Sequence, residues 1–264
     1  MWRSKVSNIV VVAISVFIFT FILKIIFHEI GIVQAVVTSN EPEMHVVTPP
    51  SQFDKVGYVS SEGGCSGVLI ASDCFITAKH VNPMPGTDTF RLDLEEGDSY
   101  YNVLDVYKHP SADLMIAKIE DTGLQGYDIY NETKDEYKEI MIAGMGYGGL
   151  ETINKTEYPN GVLRYAYNYM YMDAIYTGST SLFFSFNSPD DVGFPLGSTG
   201  AEKEGIFVDK DSGAGVFIDD NSELKLSSIV HRVTKPSGGY GSWAYVYSLY
   251  FYKDWINSTL NENC

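Results

Sequence analysis

From Phe53 onward the chain is a series of short apolar runs separated by turn residues. Each run has the length of one strand and is rich in the residues that favour strands: Val, Ile, Thr and Tyr. Examples are KVGYVSS, SGVLIAS, YYNVLDVYKH, EIMIAGMG and WAYVYSLYF. This spacing predicts an all-β domain built as a sandwich or a barrel. The 264 residues, 45% of them hydrophobic, are enough for one large β domain or two fused small ones.

Only one segment of this domain has helical periodicity. In LYFYKDWINSTL, Phe251, Trp255 and Leu260 recur at helical spacing, whereas Lys253 and Asp254 fall on other faces. The pattern predicts a short C-terminal helix whose apolar positions belong to the core.

The N-terminal residues have the composition of an export segment. MWRSK carries two positive charges, and an apolar run follows over residues 9–23. We expect residues 1–35 to be either a signal peptide cleaved before Val36 or a membrane anchor formed by residues 8–27. Both alternatives predict a secreted, periplasmic or extracellular protein that contacts a membrane only through this segment. Residues 36–52, rich in proline and polar side chains, predict an extended linker.

The charge of the chain narrows the class of its partners. A formal net charge of −16 repels phosphate backbones, which argues against nucleic acid. Nothing in the sequence indicates an oligomer, so we expect a monomer.

Three residues have the local settings that acyl-transfer chemistry needs. His80 ends an apolar strand on the edge of a loop, which suits a general base. Asp113 directly precedes the apolar run LMIAKIE, and Ser212 is followed by three small residues that allow close backbone approach. Each is weak evidence alone, but the chain order His, Asp, Ser is stronger.

Several motifs resemble those of the chymotrypsin/trypsin family of serine proteases, and they occur in the order of the family. SGVLIASDCFITAKHV is similar to the block around the family's catalytic His, and HPSADLMIAKIE is similar to the block around its Asp. KDSGAGVF resembles GDSGGPL, which holds the nucleophile. AGMGYG resembles the GWG motif that opens the family's second barrel, and SSIVHRV and YVYSLYFYKDWI resemble two weaker motifs.

The resemblance implies a fold and an activity. The fold would be two six-stranded antiparallel β-barrels, at about residues 53–140 and 141–250 of a domain spanning 53–264, with the short helix closing it. The activity would be that of a serine endopeptidase acting on a protein or peptide. His80 would be the general base, Asp113 its orienting carboxylate and Ser212 the nucleophile.

Lys210 departs from the family pattern at an important place. It stands where the family has a glycine whose N–H is one of two oxyanion donors, the other being the N–H of Ser212. Either Lys210 keeps the backbone in place at a cost of about 1–3 kcal/mol, or the peptide flips and one donor is lost. The flip would slow catalysis by about 10²–10³-fold.

The cysteines depart from the pattern as well. The family Cys that follows the catalytic His is Val81 here, so the partner that the family gives Cys65 is missing. A Cys65–Cys74 bond would span its hairpin badly. The resemblance instead implies a bond between Cys74 and Cys264, because the family's closing helix packs near that hairpin. Cys65 would stay outside a disulfide.

Asp211 matches the family carboxylate that pairs with a newly cut N-terminal amine. No family activation sequence occurs upstream. Cleavage after Ala35 would expose Val36, and cleavage before Val46 or Val47 would expose a similar end. If neither end inserts, Asp211 needs another partner.

The resemblance implies further binding residues. Ile206 would form the base of the primary pocket, which disfavours substrates with Lys or Arg at the cleaved bond. His231 and Arg232 lie on the pocket strand, and either would neutralise an acidic substrate side chain or remain solvated. The form TAKHV resembles the bacterial glutamyl endopeptidases. We expect no cofactor. The acidic run Asp93–Asp98 has the right ligands for calcium, but we favour a plain acidic turn.

Three hypotheses follow. The leading one is an exported serine endopeptidase working through an acyl-enzyme. The second is a non-catalytic or weakly active homologue that binds peptides or proteins, motivated by Lys210 and by the missing activation sequence. The third keeps the triad but changes the reaction to an esterase or another acyl transfer.

Overall fold

The structure, a computed structural model, describes most of the region after the predicted export segment. The described residues are 37–38, 51–132, 138–147, 149–150, 161–170, 181–186, 204–235 and 239–264. The predicted signal or anchor (1–35) and most of the predicted linker (36–52) lie outside them. Within the described ranges, no helix is long and apolar enough to cross a membrane.

The first half of the domain is a closed antiparallel barrel of six strands. Its order around the barrel is β2-β3-β4-β7-β6-β5, and pairing of Tyr58 with Arg91 closes it. The strands are β2 (Val56–Val59), β3 (Cys65–Ala71), β4 (Cys74–Thr77), β5 (Thr89–Leu94), β6 (Gly97–Lys108) and β7 (Met115–Ile119).

The second half is a six-stranded antiparallel sheet that curls into a half-barrel. Its order is β10-β8-β13-β14-β15-β11. The strands are β8 (Glu139–Gly144), β10 (Arg164–Tyr169), β11 (Ser181–Phe186), β13 (Gly215–Asp220), β14 (Glu223–Val233) and β15 (Ser242–Ser248). The predicted all-β fold with six strands in each half is confirmed, and the second sheet is a half-barrel in the described part of the chain.

A small third sheet lies beside the second half. Its central strand β1 (Val37–Thr38) pairs antiparallel with β12 (Gly205–Ile206) and parallel with β9 (Gly149–Leu150). Part of the predicted linker is therefore bound to the domain next to Ile206.

Burial follows the alternation of the sequence. In β15, SWAYVYS alternates between fully and partly buried residues, as a strand over a core requires. Each half has its own core, around Phe75 and Phe90 in the first and Phe184 and Phe186 in the second. A further group, called here the interbarrel core, contains buried residues from both halves: Phe53, Ile76, Leu114, Ile116, Phe217, Leu226, Ile229 and Leu249.

The predicted C-terminal helix is present. A 3-10 turn over Leu249–Tyr252 leads into α1 (Lys253–Asn263), which buries Ile256 in the interbarrel core. Trp255 and Leu260 are partly buried against that core, but the prediction that Phe251 belongs to it is wrong, because Phe251 lies in the 3-10 turn and is exposed. The disulfide joins Cys74 to Cys264 across a sequence separation of 190 residues, which confirms the expected pairing. Cys65 keeps its thiol and is buried.

Candidate active site

Strand pairing in the first barrel brings His80 and Asp113 together. His80 lies in a 3-10 turn over Lys79–Val81, just after β4, and Asp113 lies just before β7. Because β4 and β7 are antiparallel neighbours, with Thr77 opposite Met115, the end of one adjoins the start of the other. The backbone N–H of Lys79 also donates to the Asp113 carbonyl, at 3.2 Å.

The three predicted catalytic side chains form one hydrogen-bonded chain. His80 Nδ1 lies 2.7 Å from Asp113 Oδ2, and His80 Nε2 lies 2.8 Å from Ser212 Oγ. The other oxygen, Asp113 Oδ1, accepts from the backbone N–H of His80 at 2.9 Å. With both of its oxygens engaged by His80, Asp113 fixes the orientation of the imidazole. The ring nitrogen facing Ser212 is then placed to take its proton.

The carboxyl group of Asp113 is held in its charged form. Burial acts to raise its pKa, but the hydrogen bonds and charge of His80 outweigh burial, so the pKa of Asp113 is lowered. Lowering keeps the carboxylate ionised at neutral pH, where it accepts from the imidazole.

His109 supports the turn that carries Asp113. Its Nδ1 accepts from the backbone N–H of Ala112 at 2.8 Å, and its ring packs edge-on against Tyr252 and Trp255. Burial, then the charge of Lys79, lowers the pKa of His109, which leaves Nδ1 available as an acceptor. Sequence reasoning missed this role, although the HPSAD motif contains His109.

The turn that carries Ser212 is docked onto the first barrel. The Ser212 carbonyl accepts from the N–H of Ser66 at 3.0 Å. Gly213 has a φ of +87°, and a Cβ at this position would lie 2.0 Å from Thr77 Oγ1 and 2.2 Å from the Ser66 carbonyl oxygen. Only glycine fits such an approach, so the Gly after Ser212 lets the second half bring its serine to the His of the first.

Lys210 adopts the backbone conformation that a glycine adopts readily. Its φ is 70°, in the left-handed region. The carbonyl of Asp209 accepts from the N–H of Tyr147 at 3.0 Å. Because a trans peptide points its C=O and N–H in opposite directions, the N–H of Lys210 points away from Tyr147. In the described part of the chain, no carbonyl accepts from the N–H of Ser212.

Asp211 is fully buried beneath this turn. Its Oδ1 accepts from the N–H of Gly146 and its Oδ2 from the N–H of Val208, both at 2.9 Å. Burial raises the pKa of Asp211 well above its ordinary value, while these two hydrogen bonds and the charge of Arg164 act to lower it. Asp211 thereby ties the Ser212 turn to the end of β8.

Comparison with known proteins supports the architecture. No family model and no curated protein matches the chain. Among solved structures, neuropsin, a serine protease expressed in the limbic system of mouse brain, superposes with a TM-score of 0.59 at 17% identity. The match covers 82% of this chain and 98% of the neuropsin chain. The fold is that of the chymotrypsin-like serine proteases. At this identity the likeness speaks for the fold alone.

The structure distinguishes the surroundings of the three predicted substrate-binding residues in this chymotrypsin-like fold. Ile206 is fully buried in the core of the second half. Register shifts between Val230 and Arg232, so His231 is the extra residue of a β-bulge, a feature that redirects a side chain. Arg232 is exposed, with its guanidinium over the Tyr245 ring. The three assignments stay predictions.

The His231 ring contacts Tyr247 and Ser181. Its ring stacks on Tyr247, and its Nε2 lies 3.3 Å from Ser181 Oγ. Burial lowers the pKa of His231 to about 4; the charge of Asp113 opposes burial, and those of His80 and Arg232 reinforce it.

The acidic run Asp93–Asp98 forms the turn between β5 and β6 of the chymotrypsin-like first barrel. Arg91 Nε lies 2.9 Å from Asp93 and 3.8 Å from Asp98, so a protein cation already pairs with two carboxylates of this run. Burial raises the pKa of Asp93, with Arg91 acting in the opposite direction. Calcium binding at this turn stays a prediction.

Proposed function

We propose that the chain is a serine endopeptidase that hydrolyses peptide bonds through an acyl-enzyme. The observation that carries this proposal is the continuous hydrogen-bonded chain from Asp113 through His80 to Ser212 on a chymotrypsin-like fold. Three side chains from the two halves of the domain meet along one path for a proton, and the packing of the core does not require this arrangement.

In this mechanism Ser212 Oγ attacks the scissile carbonyl while His80 Nε2 takes its proton. Asp113 stabilises the imidazolium that forms. His80 then protonates the leaving amine, which departs and leaves the acyl group on Ser212. Water, deprotonated by His80, attacks the ester and releases the acid.

The oxyanion of each tetrahedral intermediate would be stabilised by the backbone N–H groups of Lys210 and Ser212. Two observations support these donors. The Asp209 carbonyl is turned toward Tyr147, which orients the Lys210 N–H the other way. The Ser212 N–H has no carbonyl acceptor among the described residues.

For the substrate we propose a protein or peptide with an acidic side chain before the cleaved bond. His231, redirected by the bulge and lying next to Ser181, supplies a ring N–H and a hydroxyl that can hydrogen-bond a carboxylate. The composition of residues 1–35 supports export of the enzyme, to the cell exterior or periplasm.

Covalent labelling of the full-length chain with a fluorophosphonate tests the proposed chemistry. We expect labelling of the wild type and none in Ser212→Ala, while Ser258→Ala, an exposed helix serine, labels normally. Labelling that survives Ser212→Ala, or no labelling of the wild type, contradicts the proposal.

A peptide-library cleavage profile separates the remaining alternatives. Cleavage after Glu or Asp supports the proposed substrate class, and its loss in His231→Phe with retained labelling assigns that role to His231. Binding of peptides without turnover or labelling would support the non-catalytic homologue. Hydrolysis of esters without any peptide cleavage would support the esterase.

A further inference from the structure

Arg164 is a buried cation on the sheet that anchors the candidate site. It lies at the start of β10 and is fully buried, although arginine is rarely found so without a partner. Its Nη1 donates to the Val162 carbonyl at 2.9 Å, and its Nε and Nη2 are buried with no hydrogen-bond partner in the described part of the chain. Such a charge is costly unless an opposite charge lies near it.

Strand register places Arg164 on the side of the sheet that faces Asp211. Arg164 is directly opposite Gly144 on β8. Directly opposed residues of antiparallel strands project to the same face. A Cβ on Gly144 would point at Asp211 Oδ1 and lie 2.5 Å from it. Arg164 therefore extends on the face where the buried carboxylate of Asp211 lies.

The electrostatics agree with this placement. The charge of Arg164 acts to lower the pKa of Asp211, and the charge of Asp211 acts to raise the pKa of Arg164, against the effect of burial on each. The guanidinium does not hydrogen-bond the carboxylate directly. The two charges interact through the low-dielectric interior, where attraction is felt beyond contact distance.

We propose that Arg164 is the internal counter-cation of Asp211 and holds the Lys210–Ser212 turn in its bonding arrangement without a newly cut N-terminus. This inference rests on the proposed function and adds its regulation: the site is competent in the uncut chain. Burial favours the protonated acid of Asp211, whereas the charge of Arg164 favours its carboxylate. The carboxylate is the stronger acceptor for the N–H groups of Gly146 and Val208. Those bonds fix the turn that presents the Lys210 N–H and Ser212. Arg164 is thus a positioning residue.

The uncut chain is already paired with the strand that precedes this turn in sequence. Val37 is paired with Ile206 and Gly149, and residue 36 precedes it as an ordinary amide in the full-length chain. An amine created there by cleavage, if it reached Asp211, would add a second cation to a carboxylate whose charge Arg164 already opposes. We therefore expect cleavage before Val36 to leave reactivity unchanged.

The test uses one full-length chain with an enteropeptidase site inserted directly before Val36, labelled with a fluorophosphonate before and after the cut. We expect equal labelling rates for the two forms. We expect Arg164→Met to slow labelling by about 100-fold in both forms, the size of a lost oxyanion donor, and Arg164→Lys to restore much of the rate. Two results would overturn the inference: labelling of the cut form alone, or uncut Arg164→Met that labels at the wild-type rate.

A double variant separates positioning from general stability. Arg164→Met with Asp211→Asn removes both buried charges and should unfold at higher temperature than Arg164→Met alone. Its labelling should stay slow, because Gly146 and Val208 donate to different oxygens of Asp211, and in Asn one of these oxygens becomes an NH2 group, which donates. A double variant that labels at the wild-type rate contradicts the role of the charge pair.

Phe186→Leu, a core change elsewhere in the same half, controls for stability loss and should label normally. If the wild type fails to label in either form, the proposed function fails first.

Discussion

Lys210 carries a backbone strain at the centre of the candidate site. A lysine with a φ of 70° meets a steric cost of about 1–2 kcal/mol that glycine avoids. Part of this gain in stability is offset, because glycine has more conformational entropy than lysine in the unfolded chain. We expect Lys210→Gly to raise the free energy of unfolding by about 1 kcal/mol, measured by urea denaturation, with undiminished fluorophosphonate labelling.

Lys210→Ala is the matched control for this change. It removes the long side chain but keeps a Cβ at the same φ, so it should show no such gain in stability. Slower labelling by the glycine variant would mean that the lysine side chain, rather than its backbone N–H, serves the site.

His231 should make the stability of the protein depend on pH. Its pKa is about 4 in the folded protein and about 6.5 in the unfolded chain. Between these values the unfolded chain binds a proton that the folded protein excludes, so stability falls as the pH falls from 6.5 to 4. The full loss amounts to about 3 kcal/mol. Below this window both states are protonated and the loss is complete.

The difference between the wild type and His231→Gln measures this contribution. Other groups, including His109, titrate in both proteins and cancel. The wild type should lose more unfolding free energy than the variant between pH 6.5 and 4. Parallel stability curves over that range would show that His231 titrates normally and is not buried as described.

At the residue scale, sequence reasoning identified residues that meet in the structure where each lies in a recognisable motif. His80, Asp113 and Ser212 follow or precede apolar strands in recognisable motifs, and the structure brings the three together. Arg164 and His109 carry no such signal. The role of Arg164 depends on the strand opposite it, and that of His109 on the C-terminal residues that pack against its ring. The local sequence around each residue does not indicate these distant neighbours.

At the scale of elements, the disulfide ties the end of α1 to the first barrel. It joins β4 to the last residue of the chain, and Lys118 Nζ donates to the Asn263 carbonyl beside it. Closing a loop of 190 residues removes much freedom from the unfolded chain. We expect Cys264→Ser to lower the free energy of unfolding by about 3–5 kcal/mol, measured by urea denaturation.

Reductant provides the internal control for the disulfide. It should lower the stability of the wild type to that of Cys264→Ser and should not lower the variant further. A second loss in the variant would reveal another disulfide, and an unaffected wild type would show that the bond does not form.

Elements were predictable where their pattern is long. The alternation in β15 and the helical spacing in α1 identified both correctly. The two-residue strands β1, β9 and β12 have no readable period, and β1 exists because its backbone pairs with two distant segments. The bulge at His231 was also beyond prediction, since a register shift depends on the partner strand.

At the scale of the whole molecule, the candidate site requires both halves to be folded at once. The first barrel supplies His80 and Asp113, and the second half supplies Ser212. The halves are joined by the interbarrel core and by the bond from Ser66 to the Ser212 carbonyl. If one half unfolds, the other loses its part of this shared core, so we expect the two halves to unfold together.

Phe217 tests that coupling. It belongs to the second half but packs against Phe53 and Tyr127, which precede the second half in the chain. It is fully buried on β13, with its ring centroid 5.6 Å from that of Phe53 and 4.9 Å from that of Tyr127. Phe217→Ala should cost about 3–5 kcal/mol through lost contacts and the cavity left behind. Since the lost contacts belong to the interbarrel core, both halves should lose stability together.

Hydrogen exchange followed by mass spectrometry measures each half separately in the same sample. In Phe217→Ala, the slowest-exchanging amides of β2–β7 and of β8–β15 should lose protection by the same amount, because their exchange reports one global unfolding. Phe217→Leu keeps most of the side chain's volume and should show a smaller loss of the same pattern. Full protection of β2–β7 in the alanine variant would mean that the first barrel stands without its neighbour. The interbarrel core would then position the site without coupling the stability of the two halves.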